Sequence, residues 1–445
     1  MLTGGGRRLL PPTLIGGLFL LCGTLWSLAI PPFETPDEPG HARYVSFLME
    51  QRRLPVPGRD AAGEAHQPPL YYALCAAVAS TAGVPPIAVE PEKNPSFRWY
   101  GGTSESKYLH RPDECPPLSG AARSLHLLRL ISVVLAAGTV LLVHRLATAL
   151  SMSPTAAAAA ACFAGFLPQH TFIAASLNND NLSNLLACAS LTCMAIAIRD
   201  PARRSLWLSA GVLAGTGLLA KFTGLTLLPC GLIAAWLAPR GPGAAGRRDL
   251  LGRLTLFLAP AVVIPLPLLW RNYVTLGDPL GAGSQLETLP QLMDRKTLLS
   301  SYFFTEFPAV LFRSFWGTFG WMSFRLPSLF YAVCLALTLA AVAGLIVMRR
   351  DRLALKLHAF LGAAIGIQIA QIVIFNLTFT QAQGRFLFPV LGPIAVLFCE
   401  GVREVTRRLG MRSMGPYGAA LMIAFSALAN MLLLGFLVAP AYVLE

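Results

Sequence analysis

The sequence is short of charge. Only 13% of its 445 residues are Asp, Glu, Lys or Arg, where a soluble domain carries roughly a quarter. That shortage, with 55% hydrophobic residues and a mean hydropathy of +0.58, excludes an ordinary water-soluble fold. Lysine is scarcer still: of 35 basic residues only Lys93, Lys107, Lys221, Lys296 and Lys356 are lysine. With abundant Ala, Gly and Pro, that points to a GC-rich bacterial genome. A continuous basic face is also lacking. The formal charge of +13 would suggest a nucleic-acid partner in a soluble protein. Much of it instead sits in short loops between apolar runs, the positive-inside signature of a membrane protein. Cysteines at metal-ligand spacing are missing too. Cys22, Cys162, Cys188, Cys193, Cys230, Cys334 and Cys399 fall inside apolar runs and read as small packing residues. Cys75 and Cys115 share one loop region, and the spacing leaves their pairing open. Finally, there is no internal repeat and no separate soluble domain.

What is present is one long apolar run after another. The chain reads as an all-α, polytopic transmembrane bundle of about eleven spans, at 9–31, 121–144, 154–168, 181–198, 205–219, 222–238, 254–270, 327–348, 357–376, 386–401 and 417–439. Several are only about 15–17 residues long, short for a full crossing, and 205–238 is alternatively one kinked span. The first run is too long for a cleaved signal peptide and reads as a retained span. Arginines at 7, 8, 145, 199, 203, 204, 240, 247, 248, 253, 349, 350, 352, 403, 407, 408 and 412, with Lys356, fall on one side, which is then cytoplasmic. The expected location is the cell membrane, multi-pass, with the N-terminus inside. The whole chain, 1–445, reads as a single transmembrane domain. Two long extracytoplasmic loops span 32–120 and 272–326. The first begins with "DEPGHARYVSFLMEQRRLP", an amphipathic surface helix with Asp37 as a candidate cap and Pro39 in the first turn. "HQPPLYYALCAAVASTAG" reads as a second such helix or a shallow re-entrant one.

Chemistry-bearing residues collect at the outer ends of the spans. Asp37 and His41 are four residues apart, on one helix face. A carboxylate partly desolvated beside a bilayer can take a proton from an acceptor hydroxyl. The plainer reading is that Asp37 and Glu38 cap the helix, and that His41 is structural. Asn178, Asn179, Asp180 and Asn181, with His170 nearby, crowd one turn, where a cap needs only one of them. Such a cluster suits sugar hydroxyls or support of the first acid. Lys221, with apolar residues on both sides, Arg271 and Arg385 are isolated cations at the outer ends of spans. A lipid phosphate would give them a counter-charge; snorkelling to the interface is the alternative. Tyr302, Phe303 and Phe304 are candidates to cover a pocket. Trp316 and Trp321 fit sugar stacking or interfacial anchoring.

The acid pair after span one, "QPPLYY", "RLISVVLAAGTVLLVHRLA", the Asn/Asp turn, "LAKFTGL", "RNYVTLGDPLG" and "QGRFLFPVLGP" together resemble the GT-C superfamily of membrane glycosyltransferases. The group most similar is that of the protein O-mannosyltransferases and aminoarabinose transferases, with related uncharacterised bacterial multi-span proteins. The resemblance covers most of the chain, and the order of the motifs is more specific than any one of them. It implies inverting transfer of a sugar from a polyprenyl-phosphate donor to a glycan, lipid or protein acceptor at the extracytoplasmic face, with membrane lipids as surroundings and no nucleic acid. It implies catalytic roles for Asp37 and then Glu38, and lipid-phosphate binding by Lys221, Arg271 and Arg385. His41, Arg43, Asn178, Asn179 and Asp180 are then the candidates for sugar or acceptor binding. A divalent cation between Asp37, Glu38 and the phosphate is conceivable, without a complete ligand set. The chain departs from the group in lacking a large insert or a C-terminal domain, and in its wider acid–His spacing. The alternatives are a transporter or lipid flippase, or a non-catalytic assembly subunit of an envelope glycan pathway. A transporter would place its polar groups near the midplane and show paired repeats. Sugar, acceptor, carrier length and oligomeric state are not legible.

Overall fold

The computed structural model describes residues 12–87, 90–98, 104–114, 117–281, 283, 293–411 and 416–442. Arg7, Arg8, Cys115 and Arg412 lie outside these residues, and with Cys115 so does its pairing to Cys75. The structure is a helical bundle. Its only strands among the described residues form a two-residue hairpin, Thr318–Phe319 with Phe324–Arg325.

Among the described residues, seven helices are long and apolar enough to cross a membrane, or up to nine if each of two bent pairs is one span. Nine of the eleven expected spans correspond to these, and the two at 205–219 and 222–238 fall on helices shorter than 18 residues. Helices α5 (Pro154–Gly165) and α6 (Pro168–Ala174) meet at a 60° bend, and α10 (Gly243–Val263) and α11 (Leu266–Leu276) at 42°. Prolines at both breaks remove the backbone donors a continuous helix needs. Helices α8 (Arg204–Ala220) and α9 (Leu227–Leu237) are short, separated by a 3-10 turn over Phe222–Thr226.

Helices α1 (Pro12–Ala29), α4 (Gly120–Ala149) and α7 (Asp180–Arg199) pack one against the next, with α8 on the far side of α7. The core between them is rich in Ala and Gly, which lets helix backbones approach closely in a lipid-facing bundle. After α11 come α12 (Glu306–Trp316), α13 (Ser328–Val347), α14 (Arg352–Asn376), α15 (Leu391–Arg408) and α16 (Pro416–Leu433).

Side-chain contacts sort the helix ends into two sets. Arg199 at the end of α7 donates to Ala149 O at the end of α4, and Arg408 at the end of α15 donates to Val347 O at the end of α13. These arginine-rich ends lie together. At the opposite ends, α2 (Glu38–Gln51) and α3 (Leu70–Thr81) form a cap over the bundle. Tyr44 and Val45 of α2 pack on Tyr71, Tyr72 and Cys75 of α3, and these on Leu125 and Leu128 of α4. The expected apolar stripe of α2 thus faces protein as well as the interface.

One buried side chain joins cap and bundle. Arg129 of α4 is fully buried and donates through Nε and Nη2 to both oxygens of Glu38, at 2.8 and 2.6 Å. It also donates to the carbonyls of Ser27, Ile30 and Pro31 at 2.7–3.0 Å, the first two of which the end of α1 leaves without a backbone donor. Glu38 further accepts from Phe33 N at 3.0 Å and Leu177 N at 2.9 Å.

A second carboxylate organises the rest of the first loop. Glu34, buried, accepts from Lys107 N, Tyr108 N and His110 Nε2 at 3.1, 3.0 and 2.9 Å, and His110 also pairs with Glu114 at 2.8 Å. Burial works against charge on His110, but Glu114 and Glu34 outweigh it and push its pKa from 6.5 up to about 9. A raised folded-state pKa means the stabilisation is complete below pH 6.5 and is lost as pH rises through about 9. The melting-temperature gap between wild type and His110→Gln is therefore expected to be wide at pH 6 and nearly closed at pH 10. An equal gap at both values would show that the imidazolium contributes nothing.

Candidate active site

The site forms where the non-arginine ends of the helices converge. Asp37 precedes α2 with φ 68°, ψ −6°, a left-handed backbone, and makes no side-chain capping bond. The capping expectation therefore does not hold for Asp37. The left-handed turn aims its carboxylate across the bundle to Arg385, 2.5 Å away. Asp180, first residue of α7, pairs with Lys221 and lies 3.8 Å from Arg385. Asp37, Arg385, Asp180 and Lys221 thus form one alternating chain of charge, drawn from four segments remote in sequence. Burial tends to raise the pKa of Asp37, but the Arg385 guanidinium and the nearby charges more than offset it and hold the carboxyl below the usual carboxylate range.

The position of Arg385 is fixed by the residue before it. Gly384 N donates to Ser314 Oγ at 2.8 Å, and a Cβ on Gly384 would lie 2.0 Å from Phe315 N. Only glycine lets this turn lie flat against α12.

A cavity of about 290 Å³ opens beside the charged chain. Asp37, Glu64, His66, Gln67, Lys221 and Arg385 form its polar wall, continued by Gln368, Gln371 and Gln381. Phe222, Leu225, Leu280, Ile372, Phe375 and Phe386 form the apolar remainder. The cavity is therefore suited to a molecule with a charged or hydroxyl-bearing head and a hydrocarbon portion. Gln368 Nε2 donates to Phe386 O at 2.8 Å, which leaves its buried Oε1 without a partner.

The other expected site residues lie around this centre at varying remove. His41 is buried, stacked on Tyr72, with Nδ1 2.8 Å from the Tyr72 hydroxyl. Burial brings its pKa down to about 3, so it stays neutral. Asn179 Nδ2 bridges Gln67 Oε1 and Ala220 O at 3.3 and 3.2 Å. Asn178 Oδ1 holds Asp180 N at 2.8 Å, and Asn181 Nδ2 holds Ile173 O at 3.1 Å, so both shape the turn. His170 is buried between Phe19 and Phe388. Glu38 faces Arg129 rather than the cavity. Arg271 donates to Pro55 O at 2.6 Å and, with Tyr44 and His66, lines a smaller crevice beside the main cavity. Arg43 is half exposed and 3.4 Å from Glu90. Tyr302 is buried and donates to Asn376 Oδ1 at 2.7 Å. Trp316 is packed against Phe163 and Phe398, and the Trp321 indole donates to Phe33 O at 3.0 Å.

Asp37 and Asp180 hold cationic side chains, Glu38 is turned away, and among the described residues no three His, Cys, Asp or Glu converge as metal ligands. Two residues of the site escaped the sequence reading. Glu64 and His66 precede the "QPPLYY" helix in "GEAHQPP", a stretch whose acid and imidazole carried no spacing that singled them out.

Fold and site together define a multi-pass membrane protein of the GT-C glycosyltransferase fold. Its shape is similar to ArnT of Cupriavidus metallidurans bound to undecaprenyl phosphate (TM-score 0.53, 15% identity, 96% of this chain and 73% of that one). It is also similar to the apo oligosaccharyltransferase of Archaeoglobus fulgidus (TM-score 0.51, 14% identity, 96% of this chain and 56% of that one). At those identities the likeness is one of fold. In sequence, residues 119–393 match the family described as "Predicted membrane protein (DUF2142)", and the chain belongs to that family. No curated protein matches it in sequence.

Proposed function

We propose that the protein transfers a sugar from a polyprenyl-phosphate carrier to an acceptor hydroxyl, with inversion, at the extracytoplasmic face of the cell membrane. The observation that carries this reading is the Asp37–Arg385–Asp180–Lys221 chain beside a cavity that is polar on one side and apolar on the other. The GT-C fold shared with an undecaprenyl-phosphate-bound protein supports it. So does the clustering of arginines at the far end of the bundle, which favours a cytoplasmic place for that end.

The donor enters from the bilayer, its prenyl chain along Phe222, Leu225 and Phe375. Its phosphate draws Arg385 and Lys221 from their carboxylate partners and is neutralised by them as it leaves, an electrostatic contribution made where charge develops. Asp37, released from Arg385, regains basicity and accepts the proton of the acceptor hydroxyl as its oxygen attacks the sugar carbon. Asp180 takes Lys221 back once the phosphate has gone, Asn179 holds the Gln67 wall in place, and His41 braces the cap. Glu38 serves the Arg129 clamp. The whole chain acts as one transmembrane unit.

Purified protein incubated with a panel of polyprenyl-phosphate sugars is expected to bind and turn over at least one. Arg385→Gln and Lys221→Gln are each expected to weaken binding of that donor by about 10- to 100-fold, the range for a lost charge-assisted hydrogen bond. Donor affinity equal to wild type in both variants would remove these cations from phosphate recognition.

A further inference from the structure

Glu64 occupies a place in the cavity that the proposed reaction does not yet use. The loop that carries it is seated on the first turn of α2 by two glycines. Glu64 N donates to Gly40 O at 3.4 Å, and Gly63, at φ +62°, lies so close that a Cβ there would be 2.4 Å from the same oxygen. A Cβ on Gly40 would in turn meet Glu64 Cγ at 3.0 Å and Oε1 at 3.1 Å. The carboxyl is thereby held over the α2 N-terminus, in the same cavity wall as Asp37, Lys221 and Arg385. On its other side, His66 Nε2 is 3.4 Å from Oε2.

Two carboxyls sharing a low-dielectric cavity do not both ionise cheaply. Asp37 has the guanidinium of Arg385 at 2.5 Å, and Lys221 is taken by Asp180. Glu64 is left with His66, which burial keeps neutral with a pKa near 4, and with Gln67 and Tyr72. The proton therefore goes to Glu64. Burial and the Asp37 charge, only partly opposed by Lys221 and Arg385, push its pKa up to about 8.

We infer that Glu64 is a lipid-phosphate-binding residue that works as a neutral carboxylic acid, donating a hydrogen bond to the phosphate beside Arg385 and Lys221. This rests on the polyprenyl-phosphate reading of the site. A protonated carboxyl supplies a donor to an anion without adding charge to a site whose acids and bases are already balanced. Once ionised, the same group repels the phosphate.

The test is the binding of undecaprenyl phosphate to detergent-solubilised wild type, Glu64→Gln and Glu64→Ala between pH 6.5 and 9.5. In wild type, Kd is expected to rise about tenfold as pH passes through 8. In Glu64→Gln, which keeps a donor and cannot ionise, Kd is expected to stay flat, so that this variant binds more tightly than wild type at pH 9.5. Glu64→Ala is expected to be equally flat and weaker than Glu64→Gln at every pH. The ligand's own titration is common to all three and cancels in the comparison. If all three share one pH dependence, Glu64 does not carry the titrating proton and the inference is overturned. If Glu64→Gln binds no better than Glu64→Ala, the hydrogen bond is absent and the inference is likewise overturned. Binding by none of the three, with each eluting as a folded species, overturns the polyprenyl-phosphate reading itself and this inference with it.

Discussion

Arg129→Met is expected not to accumulate as a folded protein. The substitution keeps an unbranched apolar stem and the helix propensity of α4, and takes away the guanidinium. What it removes is the partner of Glu38, which is fully buried and makes two bonds to Arg129 at 2.8 and 2.6 Å. It also strips the Ser27 and Ile30 carbonyls, at the end of α1, of their donor. Breaking a buried pair from one side costs about 3–5 kcal/mol, because the remaining charge has no water and no counter-ion. Orphaned carbonyls add to that. Against the roughly 5–15 kcal/mol that holds a folded domain together, the loss is decisive. Size-exclusion of detergent extracts is the measurement, and a monodisperse peak of wild-type height would sink the idea. The double variant Arg129→Met, Glu38→Met removes both charges and is expected to recover part of the peak. If it fared no better than the single change, the harm would come from the carbonyls and not from the stranded carboxylate.

This pair also shows where the sequence is legible and where it is not. The membrane class and the helical fold follow from hydropathy and charge placement, because a span has to be apolar along its whole length wherever it sits. Asp37, Asp180, Lys221 and Arg385 stood out because an ionisable residue at a span end demands a partner. The sequence did not say that they would be partners of one another, since 348 positions separate Asp37 from Arg385. Arg129 was visible only as the first letter of an apolar motif. Nothing in one sequence distinguishes an arginine that snorkels from one that clamps an acid 91 positions away. Glu38 looked like the twin of Asp37, yet one residue of helix turns it by about 100°, and that rotation sends it into the bundle rather than the cavity. The number of spans is legible only in part, for a different reason. Apolar composition records that a segment avoids water, but not that the helices over 204–237 are short and joined by a 3-10 turn.

Asp37→Asn is expected to abolish turnover while leaving donor binding intact. The substitution is isosteric, and Asn tolerates the left-handed backbone that Asp37 adopts at φ 68°, so the turn into α2 survives. That backbone costs of order 1 kcal/mol for a residue with a Cβ, and it gives Asp37 no capping bond in return. The strain is retained where it aims a carboxylate at Arg385 and the cavity, which is the expected pattern of a residue placed for chemistry. Two effects then separate. Loss of the proton acceptor lowers kcat by about 10²–10⁴-fold, the usual contribution of a positioned base. Loss of the negative charge beside Arg385 frees that guanidinium for the donor phosphate, so KM stays level or falls. A fall in kcat with unchanged or tighter donor binding is the signature of a group that acts in the transition state and not in recognition. The measurement is steady-state turnover with the donor that wild type uses, together with equilibrium binding of that donor to both proteins. Equal kcat in wild type and Asp37→Asn would take Asp37 out of the reaction. A rise in KM at constant kcat would make it a binding residue, with Arg385 needing its carboxylate to stay in register. If neither protein bound any polyprenyl-phosphate sugar, the charged chain would read as the gate of a transporter or the brace of an assembly subunit.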